Sequence, residues 1–418
     1  MRLMLPVILL TLTLPASGWN MAFDVAKTPG GYIIAGAAGL SYRWSHAWLI
    51  MTDSQGNEIW SKTYLGECRS QAWSVAALSD GYVFGGVTGC YNDDAWIVKV
   101  SKEGEIEWSK VFGYRGHGDS ATTLTDSNEG FVAALTISSC TDNCNNEDVL
   151  IIKFSQDGNV IWERKIDLRE YDSIKKLIKT ADGGYIGVGA SGDRKNGTYS
   201  NLDIWVLKLD ENGNVEWSKF YDYSFLDVAW SVVEQENKFL VAGEVWECDL
   251  VNLKKCDLSK IKEPKYAYAV FLELSKNGSL LKNWKVNFTS VCAGWGAAGE
   301  KLFGIAVNNS TSFIWEFDTT CSSLRIINNS IKVLPFIFGP LRVLEENDGF
   351  IILGNLENSV WLAKYDKNGN ILWEQTYEKP IPSSVHNVNN SDNRNDWGYG
   401  IVLVLIALGM AVLILKKM

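Results

Sequence analysis

The strongest constraint on this chain is an internal repeat. From Asp182 to Tyr221 the sequence reads DGGYIGVGA, then DIWVLKLD, then ENGNVEWSKFY. The same order runs from Gly30 as GGYIIAGAA, HAWLIMTD and SQGNEIWSKTY, and from Asp80 as DGYVFGGVT, DAWIVKVS and KEGEIEWSKVF. Two more copies are EGFVAALTI, DVLIIKFS, QDGNVIWERKI and DGFIILGNL, SVWLAKYD, KNGNILWEQTY. Two eroded copies lie between these: NKFLVAGEV, YAVFLELS, LLKNWKVNF and KLFGIAVNN, TSFIWEFD, SLRIINNSI. A short apolar segment such as AWSVAAL or SIKKLIKT precedes each copy. A period of about 50 residues belongs to a repeat architecture, in which each unit buries its faces against its neighbours.

Each unit holds four apolar segments of about 5–8 residues, which are strand lengths. The first three are apolar almost without break, as at Trp205-Val206-Leu207, and predict strands buried on both faces. The fourth alternates, with Val215, Trp217 and Lys219 on one side and Glu216 and Ser218 on the other, as a more exposed strand does. Asp-x-Asn-Gly-Asn between the third and fourth segments predicts a hairpin turn, with Gly213 at positive φ. Seven such units predict an all-β fold, a seven-bladed β-propeller of four-stranded blades.

The 18 tryptophans follow the same period. Trp60, Trp108, Trp162, Trp217, Trp284 and Trp373 fall in fourth segments, and Trp48, Trp96, Trp205 and Trp361 in third segments. Their regular placement makes them wedge-filling core. Trp73, Trp230 and Trp295 recur in the first segment, near the expected axis. Trp44 and Trp246 fall in insertions where packing does not require them, which makes them candidates for ligand contact.

The pattern resembles secreted and cell-surface β-propeller repeat proteins of archaea and bacteria. Their repeat has the form D-G-G-Y-I-V-A-G, D-x-W-V-L-K-L-D and G-N-V-E-W-S-K-T-Y. The resemblance covers most of residues 20–378 and implies the fold, not an activity. D-x-x-G-x-x-x-W is also similar to the tryptophan-docking motif of pyrroloquinoline-quinone propellers. It lacks one residue between Asp and Gly, and no adjacent cysteines exist to form that family's vicinal disulfide.

The two ends bring in the compartment. Residues 1–18 read as a signal peptide, with Arg2 before an apolar run and Ala16 and Gly18 at a small-x-small cleavage pattern. A signal anchor or buried helix is the rival reading. Residues 397–415 predict a transmembrane helix, Trp397 and Tyr399 on one flank and Lys416-Lys417 on the other. A tail exchanged for a lipid anchor is its rival. The expected order is then signal peptide 1–18, propeller ectodomain 19–379, flexible tether 380–396, span 397–415 and cytoplasmic stub 416–418. This places the protein in the cell membrane, single-pass, with an extracytoplasmic N-terminal domain. The net charge is −10, and loss of Arg2, Lys416 and Lys417 takes the exported part to −13. That balance disfavours nucleic acid as a partner.

Eight cysteines suit an oxidising compartment. Order along the units pairs Cys68 with Cys90, Cys140 with Cys144 and Cys248 with Cys256. Cys292 and Cys321 remain by elimination, on faces too far apart for a bridge. Either that pair fails or the sixth unit is differently bounded. Metal binding is the rival role, but no CxxC pair occurs. N-glycosylation candidates are Asn196, Asn277, Asn287, Asn308, Asn309, Asn328 and Asn389.

The longest insertions share one face with the links between units. Tyr91, Asp93, Asp94, His46 and His117 are ligand-binding candidates there, with Trp44 and Trp246. Asp142, Asn143, Asn145, Glu147 and Asp148 offer hard oxygen ligands for Ca²⁺, though at no EF-hand spacing. No catalytic motif occurs, so no catalytic residue and no other cofactor is assigned. The leading expectation is a non-catalytic binding or scaffold module at the cell surface, with a surface protein or glycan as ligand. The alternative is an envelope enzyme on the same scaffold, processing polysaccharide or peptide.

Overall fold

The computed structural model describes residues 19–379 except 67, 91–92, 114–117, 139–145, 196–197, 247–266, 287–290, 309–310, 321–322, 329–341 and 357. Among the described residues there are 28 strands, and no helix is long and apolar enough to cross a membrane. The leader and the apolar segment 397–415 lie outside them. The strands pair in chain order as four-stranded antiparallel meanders. Successive meanders span Trp19–Tyr64, Arg69–Phe112, Ser120–Ile166, Tyr171–Tyr221, Leu226–Val286, Val291–Asn328 and Arg342–Tyr377. The molecule is all-β and propeller-like.

Antiparallel order fixes two faces. Links between meanders and the loops joining second to third strands share one face, here the link face. Single parallel bridges such as Glu147–Tyr171 and Ala267–Val291 tie the start of a third strand to the start of the next first strand there. The tight turns occupy the opposite, hairpin face.

Burial follows the sequence pattern. The second strand Gly81–Gly89 is buried throughout, whereas the fourth strand Ile106–Phe112 has no fully buried residue. Trp48, Trp205 and Trp361 are fully buried and Trp96 nearly so, each in the third strand opposite a second-strand glycine. That glycine leaves room for the indole. In the sixth meander Trp315 stands two residues further along its strand, opposite Gly304, and is also fully buried.

Fourth-strand tryptophans make a repeated joint. Trp162 packs on Gly213 of the next meander's hairpin and donates its indole N–H to Glu211 O at 3.2 Å. Trp60 does the same with Gly104 and Lys102 O, Trp108 with Gly158 and Gln156 O, and Trp217 with Gly278 and Lys276 O. Each of these glycines has φ near +77°, and a Cβ on Gly213 would stand 2.7 Å from the Trp162 ring. Asp210 holds the turn, its Oδ1 accepting from the N–H groups of Asn212 and Asn214. The Asp-x-Asn-Gly-Asn repeat is therefore a hairpin, as its sequence predicts.

A buried third-strand lysine adds an ionic tie. Lys208 reaches Asp182 at 2.8 Å and Glu216 at 3.1 Å, and Lys99 repeats this with Asp80 and Glu107. The last meander joins the first through the same joint: Trp373 lies on Gly56, and the Tyr377 hydroxyl donates to Gly56 O at 2.6 Å. Asn355 accepts from Ala22 N and donates to Ala22 O. Each terminal meander supplies all four of its own strands, so side chains make this joint without a shared strand.

Several residues expected in loops belong to strands. Trp246 ends a second strand and is 2% exposed, packed with Leu226 and Trp230, so it is core and not a free ligand contact. His46 lies in the strand Trp44–Asp53, Asp94 opens Asp94–Ser101, and Glu147 and Asp148 open Glu147–Ser155. Cys292 lies inside Val291–Ala298. The reason is that strand pairing continues beyond the apolar stretch. In the fourth meander it runs through polar Asp193 and Ser200 into a long hairpin, Tyr185–Lys195 with Thr198–Leu209.

Candidate functional site

Chemistry-bearing side chains form three groups, two on the link face and one along the axis. The first lies where the first two meanders meet. Trp44 begins a third strand and is 62% exposed. Beside it in sequence, Tyr42 meets Trp19 edge-on at 5.8 Å, and the Arg69 guanidinium stacks 4.3 Å over the Tyr42 ring. Arg69 also pairs with Asp93. Gln71 ties the group to the sheet, donating to Ser45 Oγ and Tyr42 O while accepting from Trp73 Nε1. A disulfide joins Cys68 to Cys90, with Cα atoms 4.8 Å apart, and braces the link that carries Arg69. His46 is half-buried, and burial lowers its pKa from the usual imidazole value. Its Nδ1 is buried and has no partner among the described residues.

The second group is a recurring set of carboxylates. Oxygens of Asp148, Asp167 and Asp172 all lie within 4.8 Å of one another. One meander on, the same positions are Asp203, Asp222 and Asp227. Asp172 Oδ2 accepts from Leu168 N and Arg169 N, and Asp227 Oδ2 from Tyr223 N and Ser224 N. These aspartates pin the links. Burial, with smaller contributions from Asp222 and Asp203, pushes Asp227 up to about 6. Lys165 pairs with Asp148 at 2.7 Å and Arg169 with Asp203 at 2.6 Å. Of the residues expected to hold a cation, Asp148 therefore sits with Asp167 and Asp172, which the sequence reading did not include. Asp142, Asn143 and Asn145 lie outside the described residues, as do Tyr91, His117, Cys140, Cys144, Cys248, Cys256 and Cys321. Asn196, Asn287, Asn309 and Asn389 lie outside them too. Asn277 is exposed in a hairpin turn, whereas Asn308 and Asn328 end strands.

The third group lines the axis. In each of the first six meanders one first-strand residue is bulged out of register: Phe23, Trp73, Thr122, Lys175, Trp230 and Trp295. The next residue takes equivalent places around the axis, as Asp24, Ser74, Thr123, Lys176, Ser231 and Gly296, with Arg342 in the last meander. Asp24 is buried, and the Arg342 side chain is 13% exposed. Asp24 Oδ2 accepts from Ser74 Oγ at 2.8 Å and Val75 N at 3.2 Å. Its Oδ1 faces Lys176 Nζ at 3.5 Å and Arg342 Nε at 3.4 Å. Burial opposes ionisation of Asp24, but the two cations and two hydrogen bonds hold its pKa below the usual carboxylate value. The axis is thus charged where a purely apolar plug would also have closed it. Sequence reasoning passed over these residues. The signal was an aligned position where serine or threonine in some copies gives way to Asp, Lys or Arg in others.

No family model matches the chain, and no curated protein does. Solved structures do. The WD40 domain of Neurospora crassa Pan2 aligns at a TM-score of 0.50 and 11% identity, over 83% of this chain and 88% of that one. An ACO/RPE65 chimera aligns at 0.51 and 10% identity, over 87% and 94%. A Synechocystis apocarotenoid oxygenase variant aligns at 0.50 and 9% identity, over 87% and 94%. A WD40 domain and an oxygenase share this likeness, so it speaks to fold and leaves activity to the site. The chain is similar to WD40-type and other propeller-like proteins in fold.

Proposed function

We propose that the chain is a seven-bladed propeller held at the cell surface, acting as a non-catalytic binding or scaffold module. In this reading residues 1–18 direct export and residues 397–415 span the membrane. The observation that carries the binding role is the Trp44 group. An exposed indole, a Tyr–Arg stack and a neighbouring Trp stand on strand ends and a disulfide-braced link. Binding surfaces concentrate Trp, Tyr and Arg anchors of this kind, and rigid support limits the entropy lost on binding. In the carboxylate groups the Oδ2 atoms of Asp172 and Asp227 go to linker N–H groups and Asp148 and Asp203 pair with Lys165 and Arg169, while Oδ1 of Asp172, Asp203 and Asp227 is buried with no hydrogen-bond partner among the described residues. The ligand proposed is a glycan or a surface protein.

A glycan array read beside a hydrolase and lyase screen, both on the full chain, tests this. Binding without turnover, lost in Trp44→Ala, is the expected result. Turnover of any substrate, abolished by changing one carboxylate of the Asp148 or Asp227 group, would overturn it.

A further inference from the structure

The axial cavity has a charge arrangement that its own residues leave unfinished. It measures about 210 Å³ and is lined by Asp24, Lys176, Trp230, Ser231 and Arg342, among others. Two cations converge on one oxygen of one carboxylate. The other oxygen of Asp24 is already taken by Ser74 and Val75. Arg342 Nη1 is buried and has no hydrogen-bond partner among the described residues. The Lys176 ammonium has three N–H donors, and its one hydrogen bond among the described residues is the 3.5 Å approach to Asp24.

The remaining groups around the cavity do not complete the set. The Ser74 hydroxyl donates to Asp24 and accepts from Leu124 N, and the Thr123 hydroxyl accepts from Leu177 N. Glu345 also lines the cavity, but strand alternation turns it away from Arg342. Its carboxylate lies against Gly299, on the side facing the sixth meander, and it is exposed. Arg342 faces Asp24 of the first meander. The centre therefore holds one positive charge in excess and buried donors without acceptors. Water can supply acceptors but not charge. An oxyanion supplies both, and guanidinium and ammonium groups recognise it by charge-assisted hydrogen bonds.

We propose that the axial cavity is a binding site for a small oxyanion, a carboxylate or phosphate group held between Arg342 and Lys176. Ser231, on the same wall, is placed to donate a further hydrogen bond. The site is separate from the Trp44 group, so either can fail without the other.

The test is a titration of the full chain with acetate or inorganic phosphate against chloride at matched ionic strength, read by unfolding midpoint and by calorimetry. A saturable rise in midpoint with one oxyanion, and not with chloride, is expected. An acetate response identifies a carboxylate site and a phosphate response a phosphoryl site. Lys176→Gln, whose side chain is partly exposed and whose loss leaves Asp24 paired with Arg342, weakens that binding at least tenfold. Arg342→Gln weakens it further if the variant folds. Equal response to chloride, or an unchanged affinity in Lys176→Gln, would overturn the proposal.

Discussion

The hairpin face and the link face of this molecule are made by the same strands, yet they read differently. On the hairpin face, Trp60, Trp108, Trp162, Trp217 and Trp373 each meet a glycine of the next turn in the same way. On the link face, the equivalent third-strand position is His46, Asp94, Asp148, Asp203 and Tyr268 in five successive meanders, and only Asp148 and Asp203 share a common set of neighbouring carboxylates. Sameness on one face comes from a packing problem solved once and repeated at these five joints. Difference on the other comes from loops that no neighbour constrains. The hairpin face accounts for the fold, and the link face is where specificity can vary without loss of the fold.

The contrast can be broken at either side. The largest effect is expected at a joint. Trp217→Ala removes the ring on Gly278 and the bond to Lys276 O, and should cost about 3 kcal/mol in chemical denaturation. Replacing Cys68 and Cys90 with serine should cost about 2–3 kcal/mol, since the bridge closes a loop with sequence separation 22. Gly213→Ala puts a Cβ at φ +77° and against Trp162, and should cost about 1–2 kcal/mol in the same assay.

The link face makes a smaller, pH-dependent contribution. Asp227 is raised to about 6, so its carboxylate is disfavoured in the folded state. Between the ordinary aspartate value and about pH 6 the folded protein binds more protons than the unfolded one. Stability from this group is therefore greatest in acid and falls as pH rises through that window. Asp227→Asn should flatten that part of the curve of unfolding midpoint against pH. An unchanged curve would count against a neutral Asp227. Trp44→Ala should shift stability by less than about 0.5 kcal/mol, because the ring is mostly exposed.

These expectations track what the sequence could and could not reveal. The joints were legible because the same residues return in nearly every copy. The meanders were legible even where Trp284 stands two residues past the usual fourth-strand place and Trp315 two past the third-strand place, because the apolar segments persist. The Cys68–Cys90 bridge followed from order along the second unit. Trp246 was misplaced because its strand keeps pairing up to the start of the insertion, a tertiary effect that apolar runs do not register. The meeting of Asp24 with Lys176 and Arg342 joins residues 152 and 318 positions apart, and only closure around an axis brings them together. Asp172 and Asp227 were not singled out because their partners are backbone N–H groups, which no side-chain motif records.

The central claim, that joints carry stability while the Trp44 edge carries recognition, is tested most directly by one paired measurement. Ligand binding and unfolding midpoint are read on the same preparations of full-length Trp44→Ala and Trp217→Ala, using a ligand found on the array. The account predicts that Trp44→Ala loses binding with its midpoint unchanged, while Trp217→Ala loses stability and, below its lowered midpoint, still binds. Binding retained in Trp44→Ala, or a fall in its midpoint as large as that of Trp217→Ala, would contradict it.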